Sequence, residues 1–140
     1  MNRKLISIFL LALVLHSCDP FYNAKIINKS NKPLKVIFEY DKEVIKKNIK
    51  RKISFTPEVV YNNENTRTSF EIDTINFIVT ANVQTKDTLD LEMGIGTQPD
   101  FRNIQMIKIY GTDTIYLKNN EKMIKAFTEK GKYHYELIVK

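Results

Sequence analysis

The chain is 140 residues long, with a formal net charge of +6, a single cysteine and no tryptophan. One cysteine excludes a disulfide framework, so the core has to be held by apolar packing alone. Two histidines and one cysteine also leave too few ligands for a structural zinc cluster. Asn2-Arg3-Lys4 is a short positive head, and Leu5 to Leu15 follows as an unbroken apolar run of about eleven residues. A spanning helix needs roughly twenty. A positive head on a short apolar segment is the pattern of an export signal. Polar residues begin at His16, and Asp19-Pro20 breaks any helical continuation.

Leu15-His16-Ser17-Cys18 then resembles the lipobox of bacterial lipoproteins, which reads aliphatic, small, small, cysteine. His16 departs from it, since a small residue is usual there. The resemblance implies that residues 1–17 are removed as a signal peptide. It also implies that the Cys18 thiol carries a diacylglycerol, with a further acyl chain such as palmitate on the new amine. Residues 18–22 would form the lipidated tether and residues 23–140 the domain. Each buried methylene contributes about 0.8 kcal/mol, so two or more chains hold a protein stably on a bilayer. Cleavage removes Arg3 and Lys4 and leaves 20 basic against 16 acidic groups. The Ser-Cys-Asp start and the lysine-, asparagine- and isoleucine-rich composition are similar to those of small Bacteroidota lipoproteins. In that group, export to the cell surface goes with acidic residues just after the cysteine. Here Asp19 alone qualifies, so the resemblance implies an outer-membrane anchor facing the periplasm, and no nucleic-acid partner.

The rest of the chain reads as short strands. Ala24 to Asn28 is the first, with Phe21 and Tyr22 packing just before it. Lys29-Ser30-Asn31-Lys32 is a turn, and Leu34, Val36, Phe38 and Tyr40 alternate with Lys35, Ile37 and Glu39. The short loop predicts a hairpin. Ile45, Ile49 and Ile53 fit either a helix face or one face of a strand; β-branching favours a loop and then a strand over Ile49 to Phe55. Val59 to Tyr61 reads as a short edge strand, Asn62 to Thr68 as a loop and Ser69 to Ile72 as a strand. Ile75, Phe77, Val79, Ala81 and Val83 alternate cleanly, and Leu89, Leu91 and Met93 form a predicted hairpin with them. Gly94 to Phe101 is a loop. Ile107 and Ile109, a Gly111-Thr112-Asp113 turn, then Ile115 and Leu117 make a further hairpin. Asn120 to Glu129 is the one expected helix, with Gly131 closing it. Tyr133 to Val139 is the last strand. The pattern predicts a single small all-β domain, an antiparallel β-sandwich that is Ig-like in shape with one short helix. No βαβ alternation points to a parallel sheet.

No catalytic set is legible. His134 faces away from the core on its strand, and no serine sits in a Gly-x-Ser-x-Gly setting. Gly94-Ile95-Gly96 lacks the third glycine, the lysine and the helix of a phosphate loop. No cofactor or metal is expected. The carboxylates are scattered, so an enzyme acting on glycan or peptide would need the fold to bring a pair together around a polar cleft. Lys46, Lys47, Lys50, Arg51 and Lys52 form the densest charge run, read as the solvated face of an edge strand or as a patch for an anionic surface. Asp73-Thr74-Ile75, Asp87-Thr88-Leu89 and Asp113-Thr114-Ile115 share one pattern. Asp and Thr cap turns, but the pattern also resembles the O-glycosylation sequon of Bacteroidota, which would place glycans on Thr74, Thr88 and Thr114. The expected function is a lipid-anchored, non-catalytic binding or envelope-assembly module with a protein or glycan partner, with Asn62 to Thr68 and Gly94 to Phe101 as its contact loops. The alternative is an immunity or inhibitor protein against an envelope-acting toxin or hydrolase.

Overall fold

In the computed structural model, which describes residues 19–50, 55, 57–63 and 66–140, the alternating stretches become strands that face one core. β1 (Phe21–Asn28) buries Tyr22, Ala24, Ile26 and Asn28, and β2 (Leu34–Tyr40) buries Leu34, Val36, Phe38 and Tyr40. β3 (Ser69–Asp73), β4 (Ile78–Val83), β5 (Thr88–Ile95), β6 (Ile104–Tyr110), β7 (Thr114–Lys118), β8 (Thr128–Gly131) and β9 (His134–Val139) complete two sheets. One has the order β5-β1-β9-β8, the other β3-β4-β2-β6-β7. Their inner faces pack together as an all-β sandwich around Ile26, Leu89, Val36, Phe38, Val79 and Ile107. The signal segment and Cys18 lie outside the described residues. β1 begins at Phe21, three residues before the expected strand start at Ala24, and Phe21 itself is exposed.

The strand pairing corrects two expected hairpins. β1 and β2 lie in different sheets although residues 29–33 alone separate them, and β4 and β5 do the same across residues 84–87. Both short loops are crossings between layers. A crossing cannot satisfy its own backbone groups as a hairpin turn does, and buried groups need partners. Asn28, fully buried at the end of β1, supplies them. Its Nδ2 donates to the carbonyls of Lys32 (2.9 Å), Gln84 (3.0 Å) and Val83 (3.3 Å), and its Oδ1 accepts from the Ser30 amide (3.0 Å) and hydroxyl (2.7 Å). One side chain thus ties the two crossings together. Another pair also departs from expectation: β9 runs parallel to β1. Parallel neighbours need a long connection, and here the whole chain from β2 to β8 is that connection.

Among the described residues three short helices stand where one was expected. α1 (Lys42–Lys50) stands where a loop and the start of a strand were read. Asp41 Oδ1 accepts from the amides of Glu43 (2.9 Å) and Val44 (3.2 Å), a cap that isoleucine's strand preference does not outweigh. The remainder of that expected strand, residues 51–54, falls outside the description. α2 (Glu58–Tyr61) replaces the expected edge strand and buries Val59. α3 (Asn120–Ala126) is shorter than the sequence suggests, because Phe127 turns extended to pack on Phe101, with ring centroids 5.3 Å apart. The chain then enters β8, so Gly131 closes a strand rather than a helix. Ile75, read as a strand residue, is exposed in the β3–β4 turn, where Asp73 Oδ1 accepts from its amide at 2.9 Å. Among the described residues no helix is long and apolar enough to cross a membrane.

Replacing Asn28 with alanine would strand several buried carbonyls and the Ser30 hydroxyl at once. We expect Asn28→Ala to lose about 3 kcal/mol or more in urea unfolding; a loss under about 1 kcal/mol would show that the crossings hold without it.

Candidate functional site

A β-bulge shapes the end of the sandwich where β1 begins and β2 finishes. Ala24 pairs with Glu92 and Lys25 with Asp90, so Leu91 has no partner on β1. Before the bulge Leu89 faces the core; after it the alternation has slipped by one residue. Glu92 and Gly94 therefore turn inward, and Met93 and Ile95 turn outward. Leu89 and Leu91 are buried as the alternation predicts, Met93 is not, and β5 extends into the expected Gly94 to Phe101 loop. Gly94 lies opposite Tyr22 in the ladder, and a Cβ there would stand 2.7 Å from the Tyr22 hydroxyl. Glycine lets the Tyr22 ring lie across β5 and donate to Glu92 Oε1 at 2.9 Å.

Glu92 Oε2 accepts from the Phe101 amide at 3.1 Å, which fixes the loop between β5 and β6. Phe101 has a φ of 45°, in the left-handed region. That costs a bulky residue on the order of 1–2 kcal/mol, and the Glu92 bond and the packing of its buried ring on Phe127 hold it there. Asn63 clamps α2 to the edge of β5: its Nδ2 donates to the carbonyls of Val59 (2.7 Å) and Asp90 (2.6 Å), and its Oδ1 accepts from the Asp90 amide at 3.0 Å. The clamp also covers an edge strand that would otherwise expose its ladder groups. Phe55 packs edge to face against both Tyr40 and Phe77, with ring centroids 5.3 Å apart in each case.

These elements border an open cavity of about 450 Å³, whose polar lining comprises Tyr22, Tyr40, Glu58, Glu92, Asp100, Arg102 and Asn103. Its size is in the range of small-ligand sites. Burial pushes the Glu92 carboxyl above its usual range; the bonds from Tyr22 and Phe101 partly oppose this, and Asp100 adds to it. Glu58 is raised by burial and then by Asp100. The Tyr22 and Tyr40 hydroxyls are raised by burial and by the neighbouring carboxylates. The site is thus a partly buried pocket with three carboxylates, Glu58, Glu92 and Asp100, and one basic residue, Arg102, among its lining residues. Arg102 forms an exposed ion pair with Asp100 two residues away and offsets part of that charge. Among the described residues no group of three or more His, Cys, Asp or Glu could hold a metal ion.

The residues singled out in the sequence lie elsewhere. Lys46 and Lys47 are exposed on α1, a helix rather than the edge strand first read. Lys50 ends that helix, and Arg51 and Lys52 fall outside the described residues, as does Cys18. Thr74, Thr88 and Thr114 stand at three separate turns or strand starts and are not brought together. At two of these sites the preceding aspartate shapes the backbone: Asp73 caps its turn, and Asp87 Oδ1 accepts from the Thr88 amide at 2.9 Å. His134 is exposed, with Nδ1 2.8 Å from Asn23 Oδ1. The expected contact loops do reach the site: Asp100 and Phe101 line the cavity, and Asn63 positions α2 beside it. The cavity carboxylates and tyrosines were missed. The available signal was Gly94, since a glycine inside a strand pattern marks a bulge or a close approach. In comparisons with known proteins, no family model matches this chain, and no curated protein or solved structure matches it.

The raised Glu92 carboxyl has a pH signature. Its folded pKa lies above its unfolded one, so between the two values the folded chain holds more protons and stability falls as pH rises. In Glu92→Ala this fall, followed by urea unfolding from the ordinary glutamate range toward neutrality, should be shallower than in the unmodified chain. Equal slopes would contradict the assignment.

Proposed function

We propose that the chain is a non-catalytic binding module, held on the periplasmic face of an outer membrane by acyl chains on Cys18, and that its cavity receives a cationic side chain of a protein partner. The observation that carries this reading is the cavity's charge: Glu58, Glu92 and Asp100 line one partly buried space, Arg102 offsets only Asp100, and an entering ammonium or guanidinium would relieve the burial and repulsion that raise Glu58 and Glu92. The tyrosine rings beside them favour a cation further. A neutral glycan would gain less from the same walls. An inhibitor of a toxin is a special case of this reading, in which the basic partner is the toxin.

A second reading, hydrolysis of a glycan or peptide, draws support from the same polar cleft, because the fold does bring carboxylates together. Against it, both oxygens of Glu92 accept bonds from Tyr22 and Phe101, which suits a positioning role better than proton transfer.

Two measurements test the proposal. Titrating the full acylated chain with short lysine- or arginine-containing peptides should give saturable binding. Glu58→Gln should weaken it about tenfold, and binding should weaken as pH falls through the raised carboxylates. Binding unaffected by Glu58→Gln would contradict the cation site. For the anchor, Cys18→Ser should move the protein from the detergent phase to the aqueous phase; a variant that partitions like the unmodified chain would remove the lipid.

A further inference from the structure

We propose that the end of the sandwich bearing the cavity also rests directly on the bilayer, through an apolar patch of Phe21, Met93 and Ile95. The proposal rests on the acylation of Cys18 argued above. Phe21, Met93 and Ile95 are 58%, 43% and 74% exposed. They share the outer face of one sheet end: Phe21 pairs with Ile95, and Met93 pairs with Asn23 two residues along β1. The bulge at Leu91 puts two of the three there, where regular alternation would have buried them.

The length of the tether names the occupant. The Pro20 carbonyl accepts from the Gly96 amide at 2.8 Å, so Pro20 is fixed to the domain. Asp19 alone separates it from Cys18. Two residues reach about 7 Å when fully extended, roughly the depth of one headgroup layer. An acylated sulfur at the membrane surface therefore brings Phe21 and Ile95 to the headgroup boundary, where exposed apolar side chains are stabilised by entering it. Lys46 and Lys47 are exposed on α1, whose Ile45 lines the cavity together with Met93 and Gly94. Their charge fits a surface with anionic lipid. The patch would fix the orientation of the domain, which a single flexible tether would leave free.

The chain lacks tryptophan, so one introduced residue is an unambiguous probe. Acylated full-length I95W is reconstituted in vesicles of phosphatidylethanolamine and phosphatidylglycerol containing brominated phosphatidylcholine. T112W is the control, in the β6–β7 turn beside Gly111, at the end where Leu34 and Val139 lie. Quenching of I95W about threefold stronger than that of T112W is expected for a side chain in the interface. Equal quenching in a preparation whose intact mass includes the diacylglycerol would overturn the patch and leave the anchor standing. A mass without acyl chains would overturn both. Weak quenching with a blue-shifted I95W emission would overturn the bilayer as occupant and assign the patch to a second copy of the chain.

Discussion

Between Ala24 and Lys25 the ladder joining β1 to β5 absorbs one residue too many, and the faces of β5 exchange beyond that point. Strand side chains alternate with a period of two, so a single unpaired residue reassigns every later position. Without the slip, Glu92 would stand in solvent and Met93 and Ile95 would fill the space the cavity occupies. With it, a carboxylate enters the sandwich end, Gly94 admits the Tyr22 ring, and an apolar pair is left outside. The cavity and the exposed patch are two consequences of one irregularity, which is how bulges beside sites commonly work.

Side-chain amides hold the irregular parts where ladder bonds cannot. Asn28 serves the two crossings at one end of the sandwich, and Asn63 serves the edge of β5 near the other. Each donates through its amide nitrogen to more than one carbonyl while its oxygen accepts; an ionised aspartate has no proton to give, and a serine hydroxyl has only one. The same economy appears at Glu92, whose two oxygens take a tyrosine hydroxyl and a backbone amide. These contacts let a chain with a single cysteine keep short loops in fixed positions without a crosslink.

Local pattern was legible and long-range pairing was not. The alternation of Leu34, Val36, Phe38 and Tyr40 and that of Val79, Ala81 and Val83 became buried faces as read, and the hairpin joining Ile109 to Ile115 formed as expected. The two failed hairpins share a cause: a short loop fits a hairpin and a crossing between sheets equally well. The hint was Asn28, a polar residue in phase with Ala24 and Ile26 on the core side. At α1 the fourfold spacing of isoleucines favoured the helix, and Asp41 stood in front of it as a cap; residue propensity pointed the other way and lost. Beyond the hint at Gly94 the cavity was not legible, since Tyr22, Tyr40, Glu58, Glu92 and Asp100 come from separate elements and meet only once the sheets are layered.

Three features gather at one end of the sandwich: Pro20 held by the Gly96 amide, an apolar rim and a cavity with carboxylates in its lining. All of it depends on the inversion of β5 after Leu91. The methyl group of Met93 reports that inversion most directly, with Met123, fully buried, as an internal reference. A soluble paramagnetic agent added to the protein in methyl-labelled NMR should broaden the Met93 signal strongly and leave that of Met123 sharp. A Met93 signal as protected as that of Met123 would mean that β5 alternates without a break, and would contradict the account.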